Sequence, residues 1–374
     1  MADNFSEDPA KPIAFFAHHQ GRGHANRIMA IAEHIPPSRP LIIMTAAPDQ
    51  FAEIPRPAEM VELPNMIGAP SRSPQLHAQP APDNLHCVPL GVAEIRDHMG
   101  RIAAALAKHD PALFVIDVSA EIALLARIMS VPAITIRMHG DRNDAGHRAA
   151  YQASTAMLAP FDERIEQQDY PEAFRTRTLY TGGLCTTRQA LVPREEARRL
   201  LGIEEGRQVT LVIAGGGGSG TPYAPLTVAA RAEPDTLWLV AGPVHREGHE
   251  TDFGNLRELG WTDNLTHYIC AADRVIASAG DNTVHEIARV GRPFLCIPEW
   301  RYFDEQHRKA RELSATGSAV YRETWPASIP EWQEVLAQTD ALDPAILASL
   351  HEPEAAQKAA AWLETKASAL WGTN

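Results

Sequence analysis

An apolar run that stops at a glycine-bearing turn, with a helical stripe beginning just beyond it, opens this 374-residue chain, and a second run of the same kind meets glycine near its middle. The first is residues 12–17, PIAFFA, followed by a polar turn at 18–23 and then Ile28, Ile31, Ala32 and Ile35 at helical spacing, stopped by Pro36-Pro37. The second is the β-branched run 208–214, which passes directly into Gly215-Gly216-Gly217-Gly218-Ser219-Gly220. Strand, tight turn and helix in that order open a parallel sheet, because a parallel neighbour is reached only through a crossover. Two such openings predict two α/β domains, the number that a size of ~150 residues per domain also gives.

The segments between them keep the alternation. Strands are expected at 41–46, 113–118, 133–137 and 179–183, and helices at 121–129, at 145–158 and along the stripe Ile95, Met99, Ile102, Leu106. Residues 64–89, rich in Pro, Ser, His and Asn, form a long surface excursion of the kind that carries variable substrate contacts. A linker at 185–192 leads to a helix opened by Pro193 and running to 201. Strands follow at 236–241, 265–270, 274–278, 293–297 and 319–322, with helices at 284–290 and 305–316. An Ala-rich helix at 353–371 carries Trp362, Leu363 and Leu370 and must pack on something.

A formal net charge of -13 argues against a nucleic-acid binder, and no zinc-finger spacing or long basic run is present. Cys87, Cys185, Cys270 and Cys296 form no close pair and read as buried free thiols rather than a disulfide framework or metal site. No apolar stretch approaches the roughly 18 residues of a spanning helix, and the start of the chain is polar and acidic. The expectation is a cytoplasmic protein, monomer or homodimer, with peripheral membrane contact left open.

Three stretches could carry chemistry. In the first, Gly21-Arg22-Gly23-His24 lies between strand and helix, and the free N–H groups at the helix start favour an anion or polar ligand. His24 then stands at the carboxyl edge of the sheet, where open α/β folds bind ligands; a plain capping histidine is the alternative. Asp117, ending the strand at 113–118, either supports His24 or caps the next helix, and His18, His19 and His139 are candidates to line the cleft. The second stretch is the glycine loop, where Gly216, Gly217 and Ser219 suit a phosphate cradle but lack the Lys-Ser/Thr ending of a P-loop. The third holds Ser278, Gly280, Asn282, Thr283 and Glu286, then Asp304-Glu305-Gln306. Glu286, early on a helix, can accept hydrogen bonds from two ribose hydroxyls while the helix end faces phosphate, and Asp304 and Gln306 can hold sugar hydroxyls.

From 272 to 318 the chain resembles the C-terminal domain of family 28 glycosyltransferases, such as the bacterial MurG enzymes and related antibiotic glycosyltransferases. The residues that carry the likeness are Ser278, Gly280, Thr283 and Glu286, then Gly291, Pro293 and Pro298, then Asp304, Gln306 and Ala310. Gly21-Arg22-Gly23-His24 with Arg27 is similar to the same family's N-terminal glycine loop. Lys309 stands where the family has asparagine, and Glu305 where relatives often have histidine.

The resemblance implies a GT-B fold, two Rossmann-like domains facing each other across a cleft. Its parts would be a flexible tail at 1–11, an acceptor-binding domain at 12–190, a nucleotide-sugar-binding domain at 191–350, and a terminal helix at 351–374 packing back on the first domain. It also implies inverting, metal-independent sugar transfer from a nucleotide-sugar co-substrate, UDP-linked, to a hydroxyl acceptor, with no further cofactor. On the residues themselves His24 would be the general base, with Asp117 either its support or a helix cap, and Gly21, Gly23 and the second-domain residues above would bind the donor. Two other functions fit the same residues: a nucleotide-sugar epimerase or hydrolase, and a non-catalytic nucleotide-sugar-binding partner.

Overall fold

The computed structural model describes residues 10–215 and 220–372 and contains two parallel sheets. The first is built from β1 (Ile13–Ala17), β2 (Leu41–Thr45), β3 (Glu59–Glu62), β4 (Leu113–Asp117), β5 (Ala133–Ile136), β6 (Ala156–Ala159) and β7 (Thr178–Tyr180). Its spatial order is β3-β2-β1-β4-β5-β6-β7, with every pair parallel. The second contains β8 (Val209–Ile213), β10 (Leu237–Ala241), β12 (Leu256–Gly260), β13 (Arg274–Ala277), β14 (Phe294–Cys296) and β15 (Val320–Tyr321), in the order β12-β10-β8-β13-β14-β15. Between them in sequence, β9 (Thr221–Pro222) and β11 (Val244–His245) make a separate two-stranded ladder. Each large sheet reverses its winding once, between β1 and β4 in the first and between β8 and β13 in the second. Such switch points open a crevice at the carboxyl ends of the strands.

Alternation along the strands sorts the core onto the two faces of each sheet. Ile13 and Phe15 pack with Ile28, Ile31 and Leu363, whereas Ala14 and Phe16 pack with Ile102, Leu106 and Ile122 on the other face. In the second sheet Leu211 and Ile213 join Val275 and Ile287, and Val212 joins Trp238 and Trp332. Phe161 and Ile165, which follow β6, belong to the second sheet's core, so the two domains share apolar contact. The helix Ala355–Trp371 packs on the helix Gly23–Ala32, burying Ala359, Ala360 and Leu363 in the first domain's core. Where the chain returns to the first domain, it pairs with the outgoing linker through Gly183 N–H donating to Leu350 O at 2.7 Å.

Several elements differ from the sequence expectation. The helix expected over 145–158 ends at Ala153, and 156–159 is β6. Ser154 stops it: its hydroxyl bonds Ala150 O at 2.8 Å and Thr135 Oγ1 at 2.6 Å, competing with the helix ladder. Residues 265–270, read as a strand from their β-branched and aromatic content, belong to the helix Leu265–Ala271, whose Thr266, Ile269 and Cys270 are buried at helical spacing. The strand in that region is β12, LRELG, a mostly exposed edge without clean alternation. Edge strand β3, EMVE, is likewise exposed and was not anticipated.

Candidate active site

The first switch point brings two sequence candidates together. Beyond β1 the chain turns through Gly21, whose φ of 82° is left-handed and suits glycine, into the helix Gly23–Ala32. Beyond β4 the β-branched Val118 is held at φ 56°, a strained backbone, before Ser119 caps the next helix by accepting from Ile122 N–H. Between these turns His24 Nδ1 lies 3.2 Å from Asp117 Oδ1. Arg27, one turn along the helix, places Nη1 3.4 Å from the same oxygen. Burial pushes the fully enclosed Asp117 carboxyl up, but Arg27 and His24 outweigh it, and its pKa is lowered overall. Asp117 is therefore an anion; His24 Nδ1 is within ion-pair distance but makes no aligned hydrogen bond, and a small turn of the ring to donate Nδ1–H would present a free Nε2 lone pair to the cleft.

His18 and His19 stack at 4.9 Å beside His24. Burial, then the neighbouring His24 and His19, push His18 down to about 4. His139 does not line the cleft: it is fully enclosed, with Nε2 2.7 Å from Ile165 O. A histidine in a β–α turn is open to ligand only if nothing packs over it, which its own sequence cannot reveal. The free thiols are likewise only partly interior, since Cys270 and Cys296 are buried, Cys185 is half-buried and Cys87 is exposed.

The second switch point collects the donor-site candidates. Gly216, Gly217 and Ser219 lie outside the described residues. Ser278 is buried after β13, and Gly280 precedes the helix Asp281–Val290, which no side chain caps. Asn282 and Thr283 occupy its first turn, where backbone N–H groups lack partners within the helix. The two helix starts face each other, since a Cβ on Gly23 would stand 3.5 Å from Asn282 Nδ2. Glu286 is buried and accepts a hydrogen bond from Thr266 Oγ1 at 2.6 Å; burial pushes its pKa up. Gln306 Oε1 accepts from Glu299 N–H at 2.8 Å, and its amide nitrogen lies 4.0 Å from the Cβ position of Gly280. Asp304, at φ 52°, turns its carboxylate toward Arg311 at 3.4 Å. Glu305 points to the first domain and accepts from Arg142 at 2.8 Å.

Several residues at this boundary were not singled out as interacting by sequence. Arg27 Nη2 reaches Asp281 Oδ2 at 3.2 Å, and Lys309 is paired with Asp281 Oδ1. Phe303 O accepts from Asp141 N–H at 2.5 Å, and its ring packs against His86 and His147. This close approach needs Gly140, at φ 121°, where a Cβ would meet Phe303 O at 2.7 Å. His86, Asp144 and His147 lie close enough to hold a metal ion. Their contacts, however, are those of a hydrogen-bonded cluster: Arg142 donates to His147 Nε2 at 3.1 Å, which puts the proton on Nδ1, 2.5 Å from Asp144. In the sequence Arg27 and Lys309 stand out only as positions of the family likeness, and their link through Asp281 carries no signal because Arg27 comes from the other domain.

Residues 234–367 match the glycosyltransferase family 28 C-terminal domain. The UDP-N-acetylglucosamine–N-acetylmuramyl-(pentapeptide) pyrophosphoryl-undecaprenol N-acetylglucosamine transferase of Rubrobacter xylanophilus is 27% identical over 206 residues, 54% of this chain and 58% of that protein. The chain thus spans little more than half the length of this curated relative. Among solved structures, the kitacinnamycin glycotransferase superposes with a TM-score of 0.68 at 15% identity, covering 96% of this chain and 99% of that one. Acinetobacter baumannii MurG superposes with a TM-score of 0.63 at 13% identity, covering 96% and 100%. With two switch points facing each other across a cleft and residues 234–367 matching the family 28 C-terminal domain, the chain has the GT-B fold of these solved structures.

Proposed function

We propose that the chain transfers a sugar from a nucleoside-diphosphate sugar, UDP-linked, to a hydroxyl acceptor with inversion and without a divalent ion. The observation that carries this reading is His24, 3.2 Å from Asp117, on a helix whose start at Gly23 faces the start of the helix Asp281–Val290. His24 Nε2 takes the acceptor's proton as its oxygen attacks the anomeric carbon. The nucleoside diphosphate leaves toward the first-turn N–H groups of Asp281, Asn282 and Thr283, fixed dipoles that meet the growing negative charge. Glu286 exchanges Thr266 for the ribose hydroxyls, and Gln306 offers its amide to the sugar. Acceptor contacts come from the excursion at 64–89 and the turn at 18–23.

The test is His24→Ala (H24A), assayed by UDP release from UDP-sugars in the presence of candidate acceptors, beside thermal unfolding of the same preparation. Turnover is expected to fall by about 10²–10⁴-fold with the fold intact. A folded variant that binds UDP and turns over within about threefold of wild type removes His24 as base, since that is far below a general base's contribution.

A further inference from the structure

The charges around His24 form a single chain that starts in the other domain. Lys309 pairs with Asp281 Oδ1, Asp281 Oδ2 lies 3.2 Å from Arg27 Nη2, Arg27 Nη1 lies 3.4 Å from Asp117 Oδ1, and that oxygen is 3.2 Å from His24 Nδ1. All four charged groups are enclosed or nearly so. His24 and Arg27 both approach one oxygen of Asp117, while Asp117 Oδ2 has no partner and His24 Nδ1, at 3.2 Å, is not aligned as a hydrogen bond to Oδ1. An arginine beside a buried carboxylate ordinarily closes a two-pronged pair with both oxygens. Here the second prong is turned away, toward the other domain's carboxylate.

We propose that Asp281, held by Lys309, is a positioning residue for the base: it draws Arg27 off Asp117, so that Asp117 stays available to take the Nδ1–H of His24 when acceptor binding turns the ring onto it. This rests on His24 being the base. Without Asp281, Arg27 closes on both oxygens of Asp117 and displaces the imidazole. The ring is then free to carry its proton on Nε2, where it cannot act as a base. Catalysis is thereby tied to domain closure, because the residue that frees Asp117 arrives only with the second domain. The other titratable group packed against the ring is His18, from the turn after β1, with His19 stacked on its far side.

The experiment reads the tautomer directly, by nitrogen-15 spectra of the histidine rings at a pH where they are neutral, with H24A assigning the His24 signals. Wild type is expected to show His24 protonated on Nδ1. Asp281→Asn (D281N) should move it toward the Nε2–H form and lower UDP-sugar turnover by about tenfold or more, a wrong-tautomer effect. Adding Arg27→Gln to D281N should restore the Nδ1–H form, because no guanidinium then competes for Asp117. Should D281N leave Lys309 buried without its carboxylate and fail to fold, the neutral pair D281N/K309N makes the same test. An unchanged tautomer in D281N, or one that Arg27→Gln does not restore, overturns the relay. Full activity in H24A overturns the base reading itself, a separate result from a separate variant.

Discussion

Oδ1 of Asp117 and Nδ1 of His24 stand 3.2 Å apart, though the two residues are far apart in the sequence. Strand pairing sets this distance, since Ala17 and Asp117 are register partners at the ends of β1 and β4. Asp117→Asn keeps the shape but presents a neutral amide that can donate to Nδ1. Turnover should fall by about 10²–10⁴-fold with the donor KM little changed. Steady-state kinetics on UDP-sugars checks this; a loss confined to KM would place Asp117 in binding rather than in orientation of the base.

Glu286 rests on Thr266, a bond that the proposed function has it exchange for ribose. Glu286→Ala should weaken UDP binding by roughly 1.5–3 kcal/mol, the range for hydrogen bonds to a charged group. Titration calorimetry with UDP and dTDP reads it, and equal affinity in variant and wild type would take Glu286 out of the donor site.

Acid should loosen the first domain. Burial holds His18 and His147 at about 4 in the folded chain, against 6.5 for an ordinary histidine. Their stabilising contribution is therefore complete above pH 6.5 and is lost as pH falls from there toward 4, because the unfolded chain takes up the protons first. The loss should amount to a few kcal/mol, roughly, when both are counted. Thermal melts at pH 7 and pH 4.5 measure it, and His18→Asn should flatten the dependence; a slope unchanged by that substitution would contradict the assignment.

Leu363 is fully buried on the helix Ala355–Trp371. Leu363→Ala should destabilise the first domain by about 2–5 kcal/mol through lost burial and the cavity left behind. Denaturant unfolding followed at each domain separately would show whether the change is felt there first. A variant as stable as wild type would mean that the helix contributes little to that core.

Both sheets were legible because their central strands are continuous apolar runs and their switch points are marked by glycine next to a helical stripe. The elements that escaped are those whose signal is set by surroundings. LRELG and EMVE are edges with solvent on most sides, and the helix Leu265–Ala271 is rich in residues that favour strands until buried on one face. His24 and Glu286 could be singled out because each sits at a fixed offset from a glycine turn. Arg27, Asp281 and Lys309 could not be linked that way, since 254 residues separate Arg27 from Asp281 and only the docking of two domains makes them neighbours.

The return of the chain to the first domain has a consequence for biosynthesis. The strands β1 to β7 are complete once Tyr180 has been made, yet the face of Ile13, Phe15 and Ile31 still lacks Ala359, Ala360 and Leu363. Throughout synthesis of the whole second domain, the first carries an uncovered apolar strip to which any sticky segment of the nascent chain can adhere. Its closing piece is made only after the second sheet, so of the two domains the one started earlier is completed later.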